Sequence, residues 1–293
     1  MSALRLWLMA SRPRTLPAAV APVLVGTALA VSADEIRPLA FLAALIGSVF
    51  IQIGTNLAND YSDARRGADT EDRLGPVRVT AGGLMPPRSV LVGTYVAFAV
   101  AVAAGLYLAA VAGPELLLVG VASIAAGVLY TGGPRPYGYA GLGELFVFLF
   151  FGVVAVAGSY YVHTEELRWE AFALAVPVGL LAAAILVVNN VRDIDTDRRA
   201  GKRTLAVRLG RRRARRLFTA MLVVSFAVPL AIPLLGGLSW WVTLALVSVA
   251  LVPRLHRTVN TRSDGPALNR ALAATGALLA AFSLLLSAGV LLS

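Results

Sequence analysis

Apolar runs long enough to cross a bilayer recur along the whole of this chain, and that feature limits its fold more than any other. A bilayer demands that every backbone polar group be satisfied within the chain, which leaves helices or closed barrels. Runs near the roughly 17–25 residues that a helix needs to span favour helices here. The 293 residues are 58% hydrophobic and only 14% charged, against about 25% charged in an ordinary soluble domain. The expected fold is therefore all-α, a polytopic membrane bundle forming one unit over residues 1–293.

Nine candidate spans can be drawn, at 15–31, 39–58, 89–112, 115–130, 141–162, 170–188, 216–236, 238–253 and 267–290. Breakers separate them: Asp34-Glu35, Gly113-Pro114, Gly132-Gly133-Pro134, Gly236-Gly237 and Asp264-Gly265-Pro266. Trp7, Trp169, Trp240 and Trp241 fall near span ends, where interfacial aromatics gather. Met1–Ser11 has no cleavage pattern of a signal peptide, so the first apolar run is expected to remain as a helix.

Charge orients the bundle. The net charge is +10, and 26 residues are Lys or Arg. In a soluble chain such a balance would raise nucleic acid as a partner. In a membrane chain, basic loops on the cytoplasmic side account for it, and no nucleic acid is expected. Only Arg37 and Arg168 fall on the side opposite the N-terminus, together with Asp34, Glu35, Glu115, Glu165, Glu166 and Glu170. The N-terminus and the two long loops, 59–88 and 189–215, are thus expected in the cytoplasm. Nine spans would put the C-terminus outside. With no cysteine and only two histidines, thiolate and histidine metal sites are excluded or improbable. His163 and His256 are expected at the surface, and the Arg211–Arg213 run with Arg215 and Arg216 is expected to be topogenic.

The two long loops resemble each other. Asn59-Asp60-Tyr61-Ser62-Asp63 through Gly67 and Thr70 aligns with Asp193-Ile194-Asp195-Thr196-Asp197 through Gly201 and Thr204, at an offset of 134 residues. Binding sites between related halves are a recurrent design in membrane proteins. Residues i and i+4 share a helix face, so Asn59 with Asp63, and Asp193 with Asp197, would each present two oxygen ligands. Oxygen-only donors suit magnesium, whose shell is usually completed by water and substrate phosphates. Arg65, Arg66, Arg73 and Arg78 in the first loop, and Lys202 and Arg203 in the second, supply phosphate-binding cations. Gln52 and Asn56 precede Asp60 by two turns and one turn, Asn189 and Asn190 end the sixth span, and Tyr130 closes the fourth. Such polar groups face a cavity or pair between helices.

Asn59-x3-Asp63 and Asp193-x3-Asp197 after spans two and six resemble the UbiA superfamily of intramembrane prenyltransferases. Arg12-Pro13-Arg14-Thr15-Leu16-Pro17, Tyr130-Thr131-Gly132-Gly133-Pro134 and Asn189-Asn190-Val191-Arg192-Asp193 are similar to its naphthoate branch, of menaquinone biosynthesis. The superfamily pattern carries a third acid where this chain has Gly67 and Gly201. Asp69 follows two residues after the first glycine; Lys202 and Arg203 follow the second. The resemblance implies a Mg2+-dependent transfer from a polyprenyl diphosphate to 1,4-dihydroxy-2-naphthoate, with decarboxylation, at the cytoplasmic face of a prokaryotic cell membrane. It implies Asn59, Asp63, Asp69, Asp193 and Asp197 as metal ligands. Arg14, Asn56, Tyr130, Asn190 and Arg192 become candidate contacts to the acceptor or the prenyl chain. Other acceptors, 4-hydroxybenzoate or homogentisate, share the metal site. A CDP-alcohol-type transferase would carry a single acidic motif, and a transporter would place its charges mid-span.

Overall fold

In the computed structural model, which describes residues 1–68 and 74–293, the regular structure of the described residues is helical. A short helix α1 (Ala3–Ser11) leads through a tight turn into α2 (Pro17–Val31). There follow α3 (Pro38–Arg65), α4 (Pro87–Ala112) and α5 (Glu115–Leu129). The second half comprises α6 (Gly143–Thr164), α7 (Trp169–Arg199), α8 (Leu205–Leu234), α9 (Trp240–Thr261) and α10 (Gly265–Leu291). Each of the nine apolar runs lies on one of α2 to α10. Seven of the described helices are long and apolar enough to cross a membrane, and α1 with α2 forms a further pair bent by 54°. At 15 residues, α5 spans only about 22 Å at 1.5 Å per residue.

The surface is that of a membrane protein. Leu106, Leu118, Val121 and Leu234 are among many large apolar side chains left exposed, with no polar partner to excuse them in water. All four tryptophans are also exposed. The central element is α7: 72% of its apolar window is buried inside the protein, against 28% for α3, α4, α8 and α9. The main core gathers around it, with Leu174, Val178, Leu181 and Val188 packed against Phe218 of α8 and Leu278 and Phe282 of α10. Gly152 of α6 meets Gly179 of α7 so closely that a Cβ on Gly152 would come 2.7 Å from the Gly179 Cα. Here α6 widens into a π-helical stretch, Phe148–Val154.

Three sequence expectations change. First, the two acidic segments are helix rather than loop. α3 stays helical to Arg65 and α7 to Arg199, and α8 begins at Leu205. The backbone ladder does not end where charge begins; it ends where glycine permits a left-handed turn. Gly67 has φ +62° and Gly201 φ +73°, and neither has an atom near the place of a Cβ. In both, the next N–H reaches back to the carbonyl of the second acid: Ala68 to Asp63 at 2.9 Å and Lys202 to Asp197 at 2.8 Å. These are matching Schellman caps, so the repeat extends to the backbone.

Second, the short eighth run is lengthened. α9 continues to Thr261, and Trp240–Leu251 is wound as 3-10 helix, which rises about 2 Å per residue instead of 1.5. Third, His163 is fully buried. Its Nδ1 accepts the Arg37 N–H at 3.2 Å, and Nε2 lies 3.2 Å from Thr27 Oγ1. The ring fills the junction of α2, α3 and α6, with a free N–H at the start of α3 as its partner. Arg37 also donates to the Val111 carbonyl at 2.9 Å and pairs with Glu165 at 2.6 Å. His256, half-buried, sits 3.0 Å from Thr219 Oγ1.

Because Gly201 is retained for its φ and not for space, Gly201→Ala is expected to cost about 1–2 kcal/mol. A thermal melt in detergent would show a midpoint lower by a few degrees, with Gly201→Asn less affected.

Candidate active site

The ends of α3 and α7 border one cavity of about 790 Å³. Asn59, Asp63, Asp193 and Asp197 all line it, so spacing by four residues does place the matched pairs on inward faces. Of the two intervening acids, Asp60 also borders the cavity and Asp195 does not. Asp195 is exposed and pairs with Arg211 of α8 at 2.9 Å, which makes that arginine a helix-to-helix tie within the basic run. Asp60, 2% exposed, accepts the backbone N–H groups of Val79 at 3.2 Å and Thr80 at 3.0 Å. It thereby folds the segment before α4 back over the site.

Asp63 draws partners from three separate segments. Its Oδ1 accepts from the Tyr139 hydroxyl at 2.6 Å. Its Oδ2 lies 3.3 Å from Lys202 Nζ and 3.8 Å from Arg78. Lys202 is also 4.8 Å from the centre of the Tyr139 ring. Asp63 and Lys202 are both largely buried, so the pair is weakly screened. Asn59 Oδ1 accepts from Thr131 Oγ1 at 2.9 Å. On α7, Arg192 grips Asp193 with Nε at 2.8 Å and Nη2 at 2.5 Å. The same guanidinium reaches Asn189 at 2.7 Å and Asn269 of α10 at 2.6 Å. Asn269 in turn donates to the Leu74 carbonyl at 2.9 Å.

Of the predicted phosphate-binding cations, Arg78 and Lys202 line the cavity. Arg65, Arg66 and Arg203 do not; this corrects the expectation of direct contact. Arg65, two residues past Asp63, falls on another face of the helix, and Arg66 is the residue that caps it. Arg65 lies 5.9 Å from the Tyr61 ring, and Arg66 donates to the Gly133 carbonyl. The Arg203 N–H is bonded to the Tyr139 carbonyl at 2.9 Å, and its side chain borders a shallow basic depression with Arg198, Lys202 and Arg208. Asp69 and Arg73 lie outside the described residues.

Arg14, Asn56, Tyr130, Asn190 and Arg192 all border the cavity. Asn56 has a structural duty as well: it donates to the Ser11 carbonyl at 2.9 Å and to Thr15 Oγ1 at 3.2 Å. Gln52 joins it on Thr15 at 3.1 Å, so these intramembrane amides hold the bend between α1 and α2. Sequence reasoning missed Tyr139, Thr131 and Arg12. Arg12 lines the cavity and donates to the Asn56 carbonyl at 3.2 Å. The signal for the first two was the Tyr130-Thr131-Gly132-Gly133-Pro134 segment, which continues to Tyr139.

Beyond the polar end the cavity becomes apolar. Tyr130 meets Tyr137 edge-on at 5.5 Å, Tyr137 stacks on Phe146 at 4.0 Å, and Phe150 follows at 6.1 Å. The four rings border the space. Further along, Leu106 of α4 and Val121 of α5 line it while exposed on the outer surface, so the cavity reaches the lipid-facing side.

The donor set fits a hard divalent cation. Each half offers oxygen donors only, and magnesium usually takes one or two carboxylates and completes its shell with water and phosphate. Among the described residues, no three acidic or histidine side chains form a ready-made cluster. The charge on Asp63 and Asp193 is balanced by Lys202, Arg78 and Arg192.

Comparison with known proteins identifies the family. The model of the UbiA prenyltransferase family matches residues 19–275. The chain is 45% identical to a Mycobacterium tuberculosis protein named 1,4-dihydroxy-2-naphthoate octaprenyltransferase, covering 92% of this chain and 91% of the relative. It is 40% identical to the Escherichia coli protein of the same name, over 98% of this chain and 95% of that one. It shares its fold with a UbiA homolog from Archaeoglobus fulgidus, solved bound to DMAPP and Mg2+ (TM-score 0.63, 14% identity, 96% of this chain and 99% of that one). With most of its length matched by the family model and by relatives at this identity, the chain belongs to the UbiA prenyltransferase family.

Proposed function

We propose that this membrane enzyme transfers a polyprenyl group from polyprenyl diphosphate to 1,4-dihydroxy-2-naphthoate, with decarboxylation, in menaquinone biosynthesis. The observation that carries the reading is the joining of unlike surfaces in one cavity. Paired oxygen donors and buried cations line one end, and an apolar, aromatic-walled extension leads to lipid. Relatives at 45% and 40% identity carry the name of that activity. The chain acts as one unit over residues 1–293, crosses the membrane nine times with the N-terminus in the cytoplasm, and opens its polar end to the cytoplasm.

Each residue's part follows from its chemistry. Asn59, Asp63, Asp193 and Asp197, with Asp69, would hold magnesium, which supplies Lewis-acid neutralisation of the departing diphosphate. Lys202 and Arg78 exchange their contacts with Asp63 for phosphate oxygens, lysine as a point charge and arginine as a fork. Arg65, Arg66, Arg73 and Arg203 raise the positive potential around the mouth and draw the anion in. Tyr130, Tyr137, Phe146 and Phe150 exclude water from the allylic cation and turn π faces toward it. The electron-rich naphthoate ring attacks that cation, and departure of carbon dioxide restores aromaticity. The tail lies along the apolar extension.

Membranes containing the protein should prenylate labelled dihydroxynaphthoate in the presence of magnesium and fail after chelation; prenylation of 4-hydroxybenzoate instead would overturn the acceptor. Asp63→Ala and Asp197→Ala should each abolish turnover while the protein still inserts, and near-normal rates in either would remove it from the site. Lys202→Met should raise KM for the prenyl diphosphate by roughly 10–100-fold, the worth of a charged hydrogen bond, with a smaller effect on the acceptor. The natural absence of cysteine makes topology directly testable. In right-side-out vesicles an impermeant maleimide should label Glu166→Cys and leave Arg213→Cys untouched; the reverse pattern would invert the orientation.

A further inference from the structure

Glu144 has no part in the chemistry above, yet it is the acidic residue most difficult to explain by stability. It lies in the first turn of α6 and is 4% exposed. Its Oε1 accepts from Asn190 Nδ2 of α7 at 2.8 Å. Its Oε2 is buried with no hydrogen-bond partner. A buried carboxylate oxygen left unpaired is costly, and a charged side chain this near the hydrocarbon region adds to the cost. If Asn190 needed only a structural partner, a glutamine or a backbone carbonyl would serve without that penalty.

What an ionised carboxylate does, and a glutamine does not, is accept only. Opposite Glu144, the Asn190 amide can turn only its NH2 edge toward α6. Its Oδ1 then faces the other way. Among the described residues Oδ1 has no protein donor, and Asn190 borders the cavity. The ring of Tyr130, another lining residue, packs against Gly143 beside Glu144. Oδ1 is thus an acceptor on a residue that borders the same cavity as the aromatic wall, suited to an O–H donor on a flat ring.

We propose that Glu144 is a positioning residue that locks the Asn190 amide so that its carbonyl oxygen receives a hydroxyl of the aromatic acceptor. Glu144 does not touch substrate; it decides which edge of Asn190 the substrate meets. The site thereby selects a hydroxylated ring, since a buried acceptor left unmatched disfavours analogues without the hydroxyl. The inference rests on the acceptor being hydroxylated, as proposed above.

The test is steady-state kinetics of the purified full-length enzyme with dihydroxynaphthoate, prenyl diphosphate and magnesium, on Glu144→Gln, Asn190→Ala and the double variant. Glutamine keeps the size and can bond Asn190 in either orientation. Glu144→Gln should raise KM for dihydroxynaphthoate by about tenfold, the worth of one hydrogen bond, and leave KM for the prenyl diphosphate within about twofold. Asn190→Ala should show the same selective effect, and adding Glu144→Gln to it should change little, because the two act as one unit. An unchanged acceptor KM, an equal rise in both KM values, or a full Glu144→Gln effect persisting without Asn190 would each overturn the proposal. If Glu144→Gln does not fold, Glu144→Asp, which keeps an acceptor-only group, should retain the acceptor preference, and loss of that preference in a folded Asp variant would count against it. Failure of the unmodified enzyme to use dihydroxynaphthoate would instead refute the substrate assignment.

Discussion

The bond between Asp63 and Lys202 ties the two halves of the molecule together at the polar end of the cavity. Asp63 ends the helix of one repeat; Lys202 follows the helix cap of the other, 139 positions away. Tyr139, from the segment between α5 and α6, completes the contact by donating to Asp63 and lying beneath the lysine. A carboxylate this buried is tolerable only when paired. The same pairing keeps a buried cation on the cavity wall.

The surrounding network has a second tier that holds helix ends and segments in place. Asp60 folds the segment before α4 over the cavity by accepting two backbone N–H groups. Arg192 fixes Asp193 and reaches α10 through Asn269, which holds the Leu74 carbonyl. Asn56 and Gln52 secure the bend after α1. Each is a polar side chain placed where hydrocarbon would punish an unsatisfied group, so each position is over-determined. The apolar part of the cavity, by contrast, is walled mainly by aromatic and aliphatic side chains and reaches the outer surface at Leu106 of α4 and Val121 of α5.

Much of this was legible in the chain. Nine apolar runs correspond to helices α2 to α10, and the i, i+4 spacing of the acids placed four donors on one cavity. Those features depend on local periodicity, which the backbone enforces wherever it is helical. The limits of the helices were less legible. Hydropathy falls where charges begin, but hydrogen bonding continues to the glycines, so the acidic segments proved to be helix ends. His163 was misread because its partner is a backbone N–H far away in sequence.

Composition and the repeated motif determined that this is a helical membrane protein with two matched sets of oxygen donors, because each is a sum or a period read from neighbouring residues. Only the tertiary structure decided which cations reach the acids, that Tyr139 and Thr131 belong to the site, and that Glu144 backs Asn190. The pairings of Asp63 with Lys202 and Tyr139, of Asn59 with Thr131 and of Glu144 with Asn190 join residues 46 to 139 positions apart, and no local rule relates them. They arise because packing around α7 brings the polar helix ends together in a medium that leaves no buried charge alone.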